Sequence, residues 1–348
     1  MKPFAYTAAA DVPSAVNAAL RSAPPRQDGV DDGALTLAPV QFLGGGTTLI
    51  DLMKLDVMRP TTLVDISRLD EPGLRSVQMS AEGLRIGALA TMRQVADDAA
   101  VRRYYPVLSQ SLWLAASQQI RNMAFVGGNV LQRTRCSYFR DTSWPCNKRE
   151  PGSGCSALEG VNRWHAVLGT SEQCIASYPG DWATALVALD ATVETVGPGG
   201  LRRFRFAELH RLPGSTPHIE TQLQPGELIT SFNVPAGPYT RRSLYLKVRD
   251  RASYEFALAS AAVALQMDGA TVREVRIGLG GPVAVPWRAR EAEALLTGKV
   301  LNEASATEAA RAAFAGARTR EHNAFRVPLS QQTLVRALLQ AQTMEMAA

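Results

Sequence analysis

Four cysteines are the residues of this chain with the most distinctive chemistry. The 348 residues contain only Cys136, Cys146, Cys155 and Cys174, all in one stretch of the sequence. Four thiolates can bind a [4Fe–4S] cluster or a structural zinc ion, and in an oxidising compartment they can form two disulfides. Their spacing, C-x9-C-x8-C-x18-C, matches neither a ferredoxin run nor a zinc ribbon. The residue types therefore predict a metal or disulfide site without choosing among these three.

Two glycine-rich segments are the second group of residues that could do chemistry. Residues 42–49 place three glycines between an apolar run and a short amphipathic stretch. Glycine lets the backbone approach a ligand closely, and free N–H groups ahead of a helix favour an anion such as a diphosphate. Residues 121–129 contain a Gly-Gly pair with an amide side chain on each side. Either segment alone is equally consistent with a plain turn, but the two together indicate two walls of one nucleotide site.

Composition limits the classes of protein. Hydrophobic residues are 46% and charged residues 20% of the chain, as in soluble globular proteins. The 37 basic and 32 acidic residues leave a net charge of +5, too dispersed to predict nucleic-acid binding. No apolar run reaches about 18 residues, so we expect no membrane span, and residues 1–20 lack a signal-peptide core. We expect a cytoplasmic protein, or a periplasmic one that is exported with a signal-bearing partner.

The hydrophobic pattern predicts the elements that position these residues. Short apolar or alternating runs predict strands, and apolar residues spaced by three or four predict helices. Predicted strands are residues 4–6, 38–43, 63–66, 84–86, 191–196, 228–234, 243–248, 258–267 and 271–278. Predicted helices lie within residues 11–20, 47–55, 95–117 (one or two helices), 182–189, 288–296 and 303–346 (two helices). The irregular alternation predicts an α+β fold, with a loop at 24–38 and a domain boundary near Pro225.

The glycine segments carry a family resemblance. Gly44-Gly-Gly-Thr-Thr-Leu49 resembles the A-G-G-[TH]-[ND]-L loop of the FAD-binding medium subunits of molybdenum hydroxylases, the xanthine dehydrogenase and carbon monoxide dehydrogenase family. Arg121-Asn-Met-Ala-Phe-Val-Gly-Gly-Asn129 resembles that family's second signature, R-N-x-A-T-[IV]-G-G-N. Weaker matches follow in order at residues 87–91, 181–191 and 277–288. The resemblance therefore covers almost the whole chain.

The resemblance implies a fold and a cofactor. It implies a vanillyl-alcohol-oxidase (PCMH-type) FAD-binding domain at 1–225, with subdomains of about 1–58 and 59–225. It also implies a smaller α+β domain at 226–348, similar to the CO dehydrogenase flavoprotein C-terminal domain. The residues that it assigns to FAD are Leu43, Gly44, Gly45, Gly46, Thr47, Thr48, Leu49, Thr91, Phe125, Gly127, Gly128, Asn129, Asp181 and Lys247. Asp181 is expected to bond the ribityl or ribose hydroxyls. Leu43 and Phe125 depart from the family's alanine and threonine, and at Phe125 a hydroxyl is lost.

The cysteines resemble one subgroup of this family. Residues 132–174 are similar to a loop in the FAD-binding subunit of bacterial periplasmic aldehyde oxidoreductase, which carries an extra [4Fe–4S] cluster. The resemblance implies that Cys136, Cys146, Cys155 and Cys174 bind such a cluster in an iron–sulfur loop of about 132–175. The basic residues around the cysteines are expected to offset negative charge or to dock a partner, and they are Arg133, Arg135, Arg140, Lys148 and Arg149.

The implied function is electron transfer in a heterotrimer. A large molybdenum–molybdopterin subunit would oxidise an aldehyde to a carboxylic acid, and a small subunit with [2Fe–2S] clusters would pass the electrons to this chain. FAD here would deliver them to an external acceptor, so no acid–base catalyst is assigned to this chain. The alternatives are a flavin subunit of a 4-hydroxybenzoyl-CoA-reductase-like or xanthine-dehydrogenase-like complex, a self-sufficient flavin enzyme, and a non-enzymatic zinc-binding scaffold.

Overall fold

The computed structural model describes residues 1–21 and 38–345, so the loop predicted at 24–38 lies outside the described residues except at Ala38. The strands are β1 (Ala5–Ala8), β2 (Val40–Leu43), β3 (Thr62–Asp65), β4 (Val77–Met79), β5 (Gly83–Gly87), β6 (Thr192–Gly197), β7 (Gly200–Arg205), β8 (Leu228–Pro235), β9 (Ser243–Val248), β10 (Ala259–Asp268), β11 (Thr271–Gly280) and β12 (Trp287–Arg288). The helices are α1 (Val12–Arg21), α2 (Leu49–Lys54), α3 (Met92–Asp97), α4 (Ala99–Tyr104), α5 (Pro106–Trp113), α6 (Gln118–Met123), α7 (Val126–Val130), α8 (Ser137–Arg140), α9 (Asp181–Ala188), α10 (Arg290–Leu296), α11 (Glu303–Ala313) and α12 (Arg326–Gln342). The predicted α+β class is confirmed.

The first sheet positions the first glycine segment. β1, β3 and β2 pair in parallel in that order, and α1 packs on them through Val12, Ala15 and Val16. These three residues share one face because an α-helix repeats every 3.6 residues. β2 ends at Leu43, directly before the glycines, so the glycines lie at the carboxyl end of this parallel sheet.

The second sheet and its helices position the second glycine segment. β4, β5, β8, β6 and β7 pair in that order as an antiparallel sheet. Its core is continuous with that of α3, α5 and α9. In this core the ring of Trp182 meets the ring of Phe232 edge to face at 5.0 Å. Edge-to-face rings complement each other's quadrupoles, and this contact ties α9 to β8.

Residues 95–117 form more helices than the one or two predicted. α3 ends at Asp97, and the Asp98 carboxylate accepts the backbone N–H groups of Ala100 and Val101, which starts α4. Pro106 then begins α5 at a position where its missing N–H costs nothing. The predicted number of helices was too low because Asp98 caps a helix, and the spacing of apolar residues does not reveal a polar capping residue.

The third sheet carries the C-terminal helices. β12, β11, β10 and β9 pair as an antiparallel sheet in that order, and α12 packs on β9 and β10. β8 pairs with β5 and β6 in the second sheet. The domain division at residues 225 and 226 stays a prediction, and this pairing favours a boundary after Pro235. Among the described helices, none has both the length and the apolar character needed to cross a bilayer.

Candidate functional site

The structure brings the two glycine segments into contact. A Cβ added at Gly45 would lie 2.0 Å from the carbonyl oxygen of Met123, so only glycine allows this approach. Gly46 has a φ of +73°, in the left-handed region that glycine adopts without strain. The turn from β2 into α2 is therefore shaped by glycine, and it lies directly against the second segment.

A third segment fixes the second one in place. The backbone N–H of Val126 donates to the carbonyl of Ala90 at 3.0 Å, and that of Gly127 donates to Ala88 at 2.8 Å. A Cβ at Gly127 would lie 2.9 Å from the Cβ of Ala88. Thr91 caps α3 in a reciprocal capping box with Gln94. Residues 87–91 thus hold the Gly-Gly pair by close backbone contact.

These segments line one large cavity. Its volume is about 1380 Å³, above the range of pockets for drug-sized ligands and suited to a dinucleotide. The predicted FAD contacts in its wall are Gly44, Gly45, Gly46, Thr47, Thr48, Leu49, Phe125, Gly127, Gly128, Asn129 and Asp181. Leu43, Thr91 and Lys247 are outside the wall, in β2, at the cap of α3 and in β9. The roles of all these residues toward FAD stay predictions.

Asn129 offers the cavity an acceptor. Its Nδ2 donates to the sulfur of Met92 at 3.5 Å, whereas its buried Oδ1 has no hydrogen-bond partner among the described residues. An unpaired buried acceptor costs about 1–3 kcal/mol, so a bound N–H or hydroxyl group would stabilise this arrangement. The cavity therefore fits a ligand such as FAD, which carries both kinds of donor.

Asp181 and Lys247 pair with each other. Lys247 Nζ donates to Asp181 Oδ2 at 2.7 Å, and the Tyr245 hydroxyl donates to Asp181 Oδ1 at 2.6 Å. The two charged side chains are 5% and 1% exposed. Burial and the Asp181 charge raise the pKa of Tyr245 well above its ordinary value. The trio links α9, at the cavity, to β9 of the third sheet, a role that the sequence pattern did not indicate.

A second charged group in the cavity wall includes Glu220, which sequence analysis missed. Glu220 forms ion pairs with Arg133 and with Lys148, the latter at 2.8 Å. Burial alone would raise the pKa of Glu220, but these two cations hold it below its ordinary value. No local pattern marks Glu220, because its partners are distant in sequence and meet it only in the folded chain. The group joins the cavity wall to the cysteine loop.

The cysteine loop, residues 132–175, is folded largely without regular structure. Cys146 and Cys155 form an isolated antiparallel bridge. The Arg149 guanidinium donates to the carbonyls of Tyr138 and Phe139 at 2.7 and 2.8 Å, and also to that of Trp144. A guanidinium with five donors thus replaces the hydrogen bonds that a sheet or helix would supply to these carbonyls.

The four thiols are free and electrostatically linked. All four cysteines are unpaired. Burial is the main cause that raises the pKa of Cys136 to about 12 and that of Cys174 to about 11, and the charges of neighbouring cysteines contribute less to both increases. At neutral pH Cys136 and Cys174 are therefore thiols, and a bound metal would displace their protons.

The donor set fits a soft metal by its chemistry, since thiolates select iron–sulfur clusters, zinc and Cu(I). Within residues 1–21 and 38–345, no group of three or more His, Cys, Asp or Glu side chains is arranged to hold a metal ion. A zinc ion bound at about 2.3 Å would require all four sulfur atoms to surround one point. The described loop thus offers four soft donors without a preformed single-ion site.

Two protein-family models match this chain, one over its N-terminal part and one over its C-terminal part. The model for the FAD binding domain in molybdopterin dehydrogenase matches residues 33–237. The model for the CO dehydrogenase flavoprotein C-terminal domain matches residues 244–341. The first of these covers more than half of the chain.

Individual relatives agree with these matches. The aldehyde oxidoreductase FAD-binding subunit PaoB of Escherichia coli K12 is 48% identical over 86% of this chain and 91% of its own length. The glyceraldehyde dehydrogenase medium chain of Sulfolobus acidocaldarius is 28% identical over 75% of this chain and 74% of its own. Among solved structures, CO dehydrogenase from Oligotropha carboxidovorans superposes with a TM-score of 0.74 at 22% identity, covering 99% of this chain and 100% of that one. The structural similarity to CO dehydrogenase establishes the fold of this chain.

Proposed function

Because this chain belongs to the FAD-binding medium subunits of the molybdenum hydroxylase family, we propose that it is the electron-transfer subunit of an aldehyde oxidoreductase. The observation that carries the proposal is the cavity where residues 44–49, 87–91 and 121–129 meet. The 48% identity to the aldehyde oxidoreductase subunit of Escherichia coli supports an aldehyde as the substrate of the whole complex. The predicted family and its oxidoreductase class are confirmed.

The residues of the chain would bind and orient FAD. FAD, when bound, accepts electrons singly and releases them singly or in pairs. The glycine turn at Gly44–Gly46 lets backbone donors approach the diphosphate closely, and Asn129 Oδ1 would accept from a hydroxyl or N–H group. The Asp181–Lys247–Tyr245 trio would fix the third sheet against the cavity. The chain would thus position the cofactor and exclude water from it, and no side chain here is assigned to acid–base catalysis.

We propose that Cys136, Cys146, Cys155 and Cys174 hold a [4Fe–4S] cluster. Support comes from the soft donor set, from four free thiols in one loop, and from the cations beside them. Lys148 and Arg149 follow Cys146 by two and three residues, and Arg149 donates to the backbone carbonyls of Tyr138 and Phe139, which follow Cys136. Such positive charge offsets the negative charge of a thiolate-ligated cluster. The cluster would either relay electrons or brace the loop.

The family places this chain in a multi-subunit complex. We propose that its partners are a molybdenum–molybdopterin large subunit and a small subunit with [2Fe–2S] clusters, and that electrons leave to an external acceptor. The complex would be exported to the periplasm with a signal-bearing partner, or would remain in the cytoplasm. A 4-hydroxybenzoyl-CoA-reductase-like or xanthine-dehydrogenase-like complex is the alternative within the family, and the large subunit's substrate pocket decides between them.

Anaerobic purification of the complex tests both cofactor assignments. We expect one FAD per chain, iron beyond that of the small subunit, and an additional cluster signal in the EPR spectrum of the reduced complex. A full complement of FAD without the additional iron would overturn the cluster and leave the flavin role intact. A colourless chain that contains zinc would instead support the scaffold alternative.

A further inference from the structure

His165 contacts one of the four cysteines directly. Its Nε2 lies 3.1 Å from the sulfur of Cys136, and its ring is buried, with the ring of Tyr138 at 6.2 Å. A thiolate sulfur can only accept a hydrogen bond. When Cys136 is a thiolate, Nε2 therefore carries the hydrogen, whatever the charge of the ring. Nδ1 has no hydrogen-bond partner among the described residues, so the one polar contact of this ring is with Cys136.

Arg326 holds His165 from the first turn of α12. Its side chain is almost fully buried, and it donates to the backbone carbonyls of His165 at 2.9 Å and Leu258 at 2.7 Å. This guanidinium thereby joins the cysteine loop to the C-terminal helix α12 by hydrogen bonds. The backbone that carries the His165 ring is thus held by a residue of α12, the helix that packs on the third sheet.

The charge of Arg326 has no counter-ion among the described residues. In that part of the chain, no carboxylate lies within ion-pair distance of this guanidinium, and all of its hydrogen bonds go to carbonyls or to the Ser177 hydroxyl. Burial, followed by the nearby charge of Arg163, lowers the pKa of Arg326 to about 10. A buried charge without an opposite charge is strongly unfavourable. The protein keeps one here, next to the loop that contains the thiols.

We propose that His165 and Arg326 create a positive electrostatic environment around the sulfur of Cys136. His165 donates a hydrogen bond to the Cys136 sulfur, and Arg326 holds His165 in place and supplies the positive charge that the cluster's negative charge balances. This inference rests on the proposed [4Fe–4S] cluster. Hydrogen bonds to cluster sulfurs and nearby positive charge favour the reduced state, and supporting residues around metal ligands also strengthen metal binding. His165 and Arg326 are therefore assigned two roles: they position the Cys136 ligand, and they tune the reduction potential of the cluster.

The test uses the intact complex, purified anaerobically, and two readouts besides turnover. The first is the midpoint potential of the additional cluster, from a redox titration followed by EPR. The second is iron retention in competition with a chelator. His165→Phe keeps an aromatic ring and removes the donor, so we expect a more negative potential and about 10-fold weaker retention or more. His165→Gln places an amide donor near Nε2 and should return both values toward wild type.

Arg326→Met and Arg288→Met separate the role of the charge from general stability. Arg288 lies in β12 of the third sheet with a side chain that is 7% exposed, but its charge is paired with Glu293 and Asp190. We expect Arg326→Met to shift the potential in the negative direction, and Arg288→Met to lower stability without that shift. If His165→Phe does not give a folded complex, the midpoint potential of the Arg326→Met complex still decides the matter.

Unchanged potential and retention in the His165→Phe and Arg326→Met complexes would overturn the inference while leaving the cluster in place. A wild-type complex without the additional iron would overturn the cluster proposal and this inference together. A wild-type complex that contains FAD and the additional iron supports the proposed function independently of what the variants show.

Discussion

The large cavity proposed for FAD and the cysteine loop are built in opposite ways. The cavity is shaped by backbone against backbone, with Gly45 and Gly127 at separations that exclude any side chain, at the ends of regular strands and helices. The cysteine loop has little regular structure and depends on side chains, above all on the Arg149 guanidinium. The cavity is therefore preformed by the steric fit of its backbone, whereas the conformation of the cysteine loop depends on polar contacts from side chains.

The largest expected effect is at the cavity. Gly45→Ala would place a Cβ 2.0 Å from the Met123 carbonyl oxygen, so we expect loss of FAD and destabilisation above the about 1–3 kcal/mol typical of overpacking. The FAD content per chain and the thermal midpoint measure this. Gly316→Ala is the control, since its added Cβ meets no atom within 4 Å. Normal FAD content in Gly45→Ala would show that the two segments do not form a rigid wall.

The second expected effect separates the two regions. Cys146→Ser should remove the additional iron from the complex while FAD stays bound, because the cavity does not use the thiols in its construction. Thr142→Ala, an exposed position in the same loop, should change neither. Iron and FAD are measured on the same preparation. Loss of both cofactors together from Cys146→Ser would mean that the regions fold as one unit.

The third effect concerns the trio that closes the cavity toward the third sheet. Asp181→Asn leaves Lys247 buried without an opposite charge, so we expect the free energy of unfolding to fall by about 3–5 kcal/mol. Asp181→Asn with Lys247→Met removes both charges and should recover part of this loss. Urea unfolding of wild type and the two variants gives the comparison. A loss in Asp181→Asn no larger than that in the double variant would contradict a charge-paired link.

A fourth, smaller effect is a pH dependence from the cavity wall. Burial lowers the pKa of His210 to about 4, below the about 6.5 of an unfolded histidine. As the pH falls below 6.5, the unfolded chain takes up a proton that the folded chain refuses, so stability decreases between about pH 6.5 and 4. This pH-dependent loss, about 3 kcal/mol from the difference between the two pKa values, should be absent in His210→Gln. Equal pH profiles of wild type and His210→Gln, from urea unfolding, would exclude the assignment.

The smallest effect is expected at the ion pairs that join the two regions near the surface. Asp51 in α2 pairs with Arg140 at 2.9 Å and with Arg135 at 3.4 Å. Its side chain is 37% exposed, so solvent screens these pairs. Asp51→Asn should cost at most about 1 kcal/mol of stability and leave both cofactors bound. A larger loss would indicate that the regions support each other more than their internal contacts suggest.

The sequence predicted most of the elements because their signals are local. Apolar periodicity located β2, α2, α9 and the strands β9, β10 and β11, since residues three or four apart share a helix face and alternate residues share a strand face. It missed β12, because this strand has only two residues and overlaps the helix predicted at 288–296. β7 went unpredicted because its sequence, GLRRFR, is a polar edge strand without a buried face. The extra helix at Asp98 was missed for a related reason, because a capping residue is polar and adds nothing to the apolar pattern.

What the sequence by itself determined were the two glycine segments, the set of four cysteines and, through the resemblance, FAD and the family. What only the tertiary structure decided were the pairings: Asp181 with Lys247, Glu220 with Arg133 and Lys148, and His165 with Cys136. The reason is physical. A glycine turn or a helix is selected by interactions within a few residues, whereas a buried charge or thiol finds its partner only after distant segments have packed together and excluded water.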